Sequence, residues 1–162
     1  MFTDLSPFSG NETVIDFEGF TSGTLIDNQY AADGVTFLLA DGQRPRIVVN
    51  ETEPRQFGPG GLNALDNVVT LPNAAPPFAD LRLTFAEAQN LIGFELRNAD
   101  GDILTVTLTY VCDGLCIAQE TFQTGLQFTF VGMQSNIGFD EVLIDVSEDV
   151  LAGWRIDNLR FE

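Results

Sequence analysis

The sequence predicts an all-β protein, a two-sheet antiparallel β-sandwich of jelly-roll type, on three observations. Short runs rich in Val, Ile, Thr and Phe recur along the chain, no helical period of useful length appears between them, and Asp-Gly pairs stand where hairpins need positive φ. The runs are Thr13 to Phe17, Gly34 to Leu39, Arg46 to Val49, Asp80 to Phe85 and Leu91 to Asn98. They continue with Ile103 to Val111, Ile117 to Gln123, Gln127 to Met133, Glu141 to Val146 and Trp154 to Phe161. So many strands imply two packed antiparallel sheets or a closed barrel. Turn chemistry separates them at Asp33-Gly34, Asp41-Gly42, Asp100-Gly101 and Asp113-Gly114. The clearest strand sets Leu104, Val106, Leu108 and Tyr110 on one face and Thr105, Thr107 and Thr109 on the other.

At 162 residues the chain fits one domain, and 44% hydrophobic residues with 14 Phe provide a core without help from several disulfides or a metal. One segment departs from the strand pattern. Between Arg44 and Phe78 the sequence loosens, gathers most of the prolines, and holds Arg44, Arg46 and Arg55. Long irregular segments in compact domains are where binding surfaces concentrate, so the ligand-binding residues are expected to be Arg44, Arg46, Arg55, Gln56, Phe57 and Asn63, with Tyr30 nearby.

The charge is strongly acidic: 24 Asp and Glu against seven Arg, and a formal net charge of −17. Such a surface repels phosphate backbones and anionic lipid, which argues against nucleic-acid partners and membrane binding. Divalent cations are its natural counter-charge, and solubility outside the cell is the plainer reason for it. No run reaches the roughly 18 apolar residues of a membrane span. The opening residues, Met1 to Glu12, have neither a basic region nor an apolar core and do not read as a signal peptide. Histidine and lysine are both absent, which removes Ser-His-Asp and Cys-His nucleophiles, His-ligated zinc, and Schiff-base and P-loop chemistry. The chain is expected not to be an enzyme. A carboxylate pair about 5 to 10 Å apart in a cleft would be the remaining catalytic route.

Two constellations stand out. Cys112 and Cys116 flank Asp113-Gly114-Leu115. A three-residue loop sets the cysteines across a hairpin at disulfide distance, and this pairing, with the oxidising compartment it implies, is the expectation. A two-residue Asp113-Gly114 turn would instead set Leu115 opposite Cys112 and leave free thiols; a redox pair lacks the usual spacing. The second constellation joins the chain's ends. Asp16 and Glu18 occupy alternate positions of the first strand, and Asp157, with Asn158, interrupts the apolar alternation of the last. Where first and last strands run together these carboxylates converge, and a hard cation of the calcium type, which takes six to eight oxygens, would resolve their repulsion. Solvent exposure, or pairing with Arg155 or Arg160, is the alternative.

The stretch from Ile15 to Phe37, with its Asp-Phe-Glu strand, Gly-Thr turn, Gln-Tyr and Gly-Val-Thr-Phe, resembles the opening of the β-sandwich domains of secreted bacterial proteins, many of which carry the PEP-CTERM sorting signal. The likeness continues through Leu91 to Asn98, Phe128 to Met133 and Gly153 to Phe161. The closing motif is also similar to that of jelly-roll modules such as MAM domains and several carbohydrate-binding modules. In those folds an acid of the first strand and one of the last help hold a structural cation, which implicates Asp16 or Glu18 together with Asp157. The resemblance implies an extracellular, non-catalytic module that binds a polysaccharide or glycan, with a structural calcium ion. A surface protein that self-assembles with like subunits is the alternative.

Overall fold

Alternating apolar residues need a second surface to cover them, and two unusually long strands supply it. A computed structural model of the chain describes residues 1, 3–18, 20, 24–39, 46–47, 62–63, 80–98, 103–124, 129–146 and 154–162, with backbone alone at 46–47, 62–63, 97–98, 104, 146 and 154–155. The described residues form strands β1 (Thr13–Ile15), β2 (Val35–Leu39), β3 (Arg46–Ile47), β4 (Leu62–Asn63), β5 (Leu81–Asn98), β6 (Leu104–Cys112), β7 (Leu115–Thr124), β8 (Thr129–Val146) and β9 (Trp154–Phe161). One turn of 3-10 helix, Ala31–Asp33, ends at Gly34, whose φ of +94° caps that turn; the positive φ expected at Asp33-Gly34 is present, but no hairpin closes there, because β2 pairs with β5. Among the described residues no helix is long and apolar enough to cross a membrane.

The 18-residue strands β5 and β8 pair antiparallel in two stretches, 81–84 against 141–144 and 91–96 against 129–134, with register shifts between them. Each stretch belongs to a different sheet. In the first, β2 lies on 81–85 of β5, and β6 joins 141–146 of β8 with β7 outside it. In the second, β9 lies on 92–98 of β5 and carries both β4, with β3 beyond it, and β1. The result is the expected all-β two-sheet antiparallel sandwich, and its first strand pairs with its last.

A strand passing from one sheet to the other must turn its apolar side over, because both sheets face one core. The register shifts do this. In β5 the residues that join the hydrophobic cluster of the core are Leu81, Leu83 and Phe85 before the shift and Ile92, Phe94 and Leu96 after it, a change from odd to even positions. In β8 they are Val131, Met133 and Phe139, then Val142 and Ile144. The sequence reading assigned each of these long strands as two, because a parity change resembles a break. Neither 86–90 nor 134–140 contains proline or an Asx-Gly pair, so the chain has no turn there and the ladder continues.

Phe139 sits fully buried at this corner, its ring 6.1 Å from that of Phe85 and 5.4 Å from that of Tyr110. Phe85 in turn meets Phe161 of β9 at 5.1 Å. These edge-on and tilted contacts tie β5, β6, β8 and β9 into one hydrophobic cluster. The face expected of β6 is inside: Val106, Leu108 and Tyr110 are all buried. Its threonine face lies outward, with Thr107 Oγ1 3.2 Å from Thr121 Oγ1 on β7.

The expected Cys112–Cys116 disulfide is not formed. Asp113 and Gly114 both adopt positive φ, +51° and +76°, and close a two-residue turn that pairs Cys112 with Leu115 and Val111 with Cys116. Successive strand residues face opposite sides, so this turn aims the two thiols apart, and both are free. Cys116 is exposed, whereas burial and the charges of Asp113 and Asp140 push the Cys112 thiol up. The pairs Asp41-Gly42 and Asp100-Gly101 lie outside the described residues.

Two outcomes are expected. Phe139→Ala should lower the unfolding free energy by about 3–5 kcal/mol in denaturant titration with little change in slope, because it opens a cavity where the two sheets join. Intact-mass analysis with an alkylating agent and no reductant should show both cysteines modified, Cys116 faster than Cys112; a mass two hydrogens lower that resists alkylation would restore the disulfide.

Candidate functional site

The interruption in the last strand is a β-bulge. In the β9–β5 ladder Arg160 faces Gly93 and Asp157 faces Glu95, so Asn158 and Leu159 together stand opposite Phe94. Asn158 has a φ of +48°, a left-handed conformation that asparagine tolerates better than most residues. The extra residue resets the alternation, and Ile156 and Leu159 both enter the core although three positions separate them.

The bulge also places Asp157. Its residue is only 7% exposed, and its Oδ1 accepts the Asn158 backbone N–H at 2.8 Å. The Asn158 side-chain amide donates to Glu95 Oε2 at 3.0 Å. Burial raises the Asp157 carboxyl to about 7; the Asn158 N–H works against this, and the charges of Glu95, Glu18 and Asp16 add to it. Asp16 and Glu18 thus lie within electrostatic reach of Asp157.

Their geometry differs from the sequence expectation. Asp16 and Glu18 lie past the end of β1, not on it, and both are exposed. Between them Phe17 takes a φ of +56° and buries its ring edge-on against Tyr30 and Phe37, each 5.6 Å away. Glu18 N donates to Asp16 Oδ1 at 3.0 Å, which closes the turn. Arg160, a proposed partner for these acids, pairs with Glu12 at 2.8 Å. Among the described residues no group of three or more acidic or cysteine side chains is spaced to hold a metal ion.

Tyr30 belongs to this neighbourhood and not to a loop surface. Its ring packs against Phe17, Phe20 and Phe37. Its buried hydroxyl has no hydrogen-bond partner among the described residues. Burial first, then the charges of Asp16, Asp33, Glu18 and Asp157, push that hydroxyl up to about 12. Of the other expected ligand residues, Arg44, Arg55, Gln56 and Phe57 lie outside the described residues. Arg46 and Asn63 face each other in the β3–β4 ladder, and their side chains also lie outside the description.

Two surface hollows flank the first and last strands. One, of about 360 Å³, is bordered by Asn11, Thr13, Asp33, Glu87, Gln89 and Glu162 among others. The other, of about 440 Å³, is lined by Asp4, Leu5, Glu95, Phe130, Asn158 and Arg160. Sequence reasoning did not single out Glu95, Phe130 or Arg160 as a group, since they come from three strands. Asn158 carried a visible signal as half of the Asp157-Asn158 interruption.

The raised carboxyl has a testable sign. In the unfolded chain Asp157 loses its proton near pH 4, whereas in the folded protein it keeps it up to about pH 7. Its protonation therefore supports the fold at low pH, and that support is lost as pH rises from 4 through 7. In chelator-stripped protein, Asp157→Asn should be more stable than the wild type at pH 8 by roughly 1–3 kcal/mol. The difference should vanish near pH 4; a difference independent of pH would mean that the carboxyl is not the group responsible.

No protein-family model and no curated protein matches the chain. Solved structures resemble it at low identity. They include the enzymatically active domain of bacteriophage CBA120 tailspike protein 4 (13% identity, TM-score 0.43, covering 83% of this chain and 20% of that one). A family 29 carbohydrate-binding module matches at 10% identity and TM-score 0.40, covering 78% and 88% of the two chains. The Clostridium thermocellum xylanase 10B CBM22-1–GH10 modules, complexed with xylohexaose, match at 8% and 0.35, covering 93% and 28%. The chain thus spans less than a third of the tailspike and xylanase chains.

Proposed function

We propose that the chain is an extracellular, non-catalytic carbohydrate-binding module, one domain over residues 1–162, with a calcium-type cation between its first and last strands. The observation that carries the glycan reading is the lining of the surface hollows. Carboxylates and amides such as Asp33, Glu87, Asn11 and Gln89, held on or beside strands, offer the mixture of acceptors and donors that a ligand rich in hydroxyls needs. The net charge of −17 disfavours polyanions at the same surface. The jelly-roll resemblance of the sequence points to the same class. Arg44, Arg46, Arg55, Gln56, Phe57 and Asn63 are proposed as further ligand contacts.

The cation part of the proposal rests on Asp157. Burial first, and then the charges of Glu95, Glu18 and Asp16, raise this carboxyl, while Arg160 is paired with Glu12. Because among the described residues no three acids stand at ligand spacing, calcium is proposed to draw Asp16, Glu18 and Asp157 together on binding, not to fill a finished cage. Six to eight oxygens are needed, so backbone carbonyls or water would complete the shell.

Thermal unfolding of chelator-stripped protein at pH 8, before and after adding calcium, tests the cation. A rise of several degrees that Asp157→Ala abolishes is expected; equal melting temperatures would remove calcium from the proposal. Retention on a panel of immobilised glycans tests the ligand class. At least one glycan should be retained, more weakly after Arg55→Ala or Phe57→Ala, and silence across the panel would overturn the glycan reading.

A further inference from the structure

We infer that the groove on the outer face of the second sheet, between the N-terminal segment and β5, β8 and β9, is a subsite for one uncharged pyranose unit. The inference rests on the carbohydrate-binding reading and gives it a place and a chemistry.

The floor of the groove depends on a missing side chain. A Cβ at Gly93 would come within 2.5 Å of the Phe130 ring and 3.1 Å of the Phe8 ring. With glycine there, the Phe130 ring rests against the β5 backbone, and Phe8 meets it at 6.4 Å with the planes 76° apart. Phe130 is therefore held in place before any ligand arrives, and it lines the groove. A fixed aromatic ring is a surface against which the C–H face of a sugar packs at small entropic cost.

Three planar polar groups stand beside that ring. Asn158 donates one amide hydrogen to Glu95 Oε2, and the amide has a second N–H and a carbonyl oxygen, while the carboxylate accepts more than one hydrogen bond. Arg160 gives one of its five N–H groups to Glu12 at 2.8 Å. Both donors and acceptors thus border one cavity of about 440 Å³, within the range of small-molecule sites. The bulge is what brings Asn158 there. Its left-handed φ and its bond to Glu95 share the residue that resets β9.

Charge selects among sugars. The groove contains Asp4 and Glu95, and its one guanidinium, that of Arg160, is paired with Glu12. A uronic acid or sulfated unit would bring a further negative charge into this setting. Hydroxyl groups, by contrast, donate to carboxylates and accept from the amide and guanidinium.

The test is native affinity electrophoresis of the full chain in gels containing xylan, hydroxyethylcellulose, galactomannan or polygalacturonate. The wild type should be retarded by at least one neutral polymer and not by polygalacturonate. Phe130→Ala and Asn158→Gly should each weaken that retardation tenfold or more. Glycine accepts the positive φ, so Asn158→Gly keeps the bulge while deleting the amide. Should Phe130→Ala fail to fold, Asn158→Gly and Glu95→Gln decide. Retardation by a neutral polymer that the variants retain would overturn the groove and leave the carbohydrate-binding reading standing. Absence of retardation in every gel would overturn both, and retardation by polygalacturonate alone would overturn the charge selection.

Discussion

The antiparallel pairing of β5 with β8 is the contact on which the rest of this sandwich depends, because these two strands belong to both sheets. Every other sheet-to-sheet relation is set by where a neighbour joins them: β2 and β6 at one end, β9 at the other. Sharing strands between two facing sheets imposes a constraint that separate sheets do not have. The side of the strand that meets the core must reverse along its length, and register shifts at the corner provide the reversal. Phe139 and Phe85 bury their rings against each other at that corner.

The same device recurs in β9 with a different consequence. There the extra residue is Asn158, and the reversal takes place beside the first strand, which ends at Ile15. Bringing Ile156 and Leu159 into the core leaves Asp157 nearly buried on the other side, facing Glu95 across the ladder and within the field of Asp16 and Glu18. Burial of one carboxylate among others costs free energy unless a proton or cation neutralises it. A strand irregularity that serves packing therefore also creates the site with the most perturbed carboxyl among the described residues, and it orients the amide that borders the outer groove.

The free thiols follow from turn geometry in the same way. Cys112 and Cys116 are close in sequence, and a hairpin between them was evident, yet their pairing depended on whether two or three residues form the loop. Asp113-Gly114 satisfies the positive φ of both positions of a two-residue turn, and one residue of loop length is enough to turn two facing side chains into opposed ones.

The sequence by itself determined the all-β class, the position of most strands, the inward face of β6, and the fact that Asp157-Asn158 breaks the last strand, since each is a local matter of period, turn residue or composition. It also determined the chemistry that is missing, because a chain without histidine or lysine cannot gain those groups on folding. The tertiary structure decided what depends on partners distant in sequence. It merged four apolar runs into two long strands, because a parity change and a chain break look alike until the opposite strand is known. It moved Asp16 and Glu18 off the first strand, because Phe17 turns inward to meet Tyr30 and Phe37. It gathered Glu95, Phe130, Asn158 and Arg160 around one groove, because residues from three strands become neighbours only through the ladder that joins them.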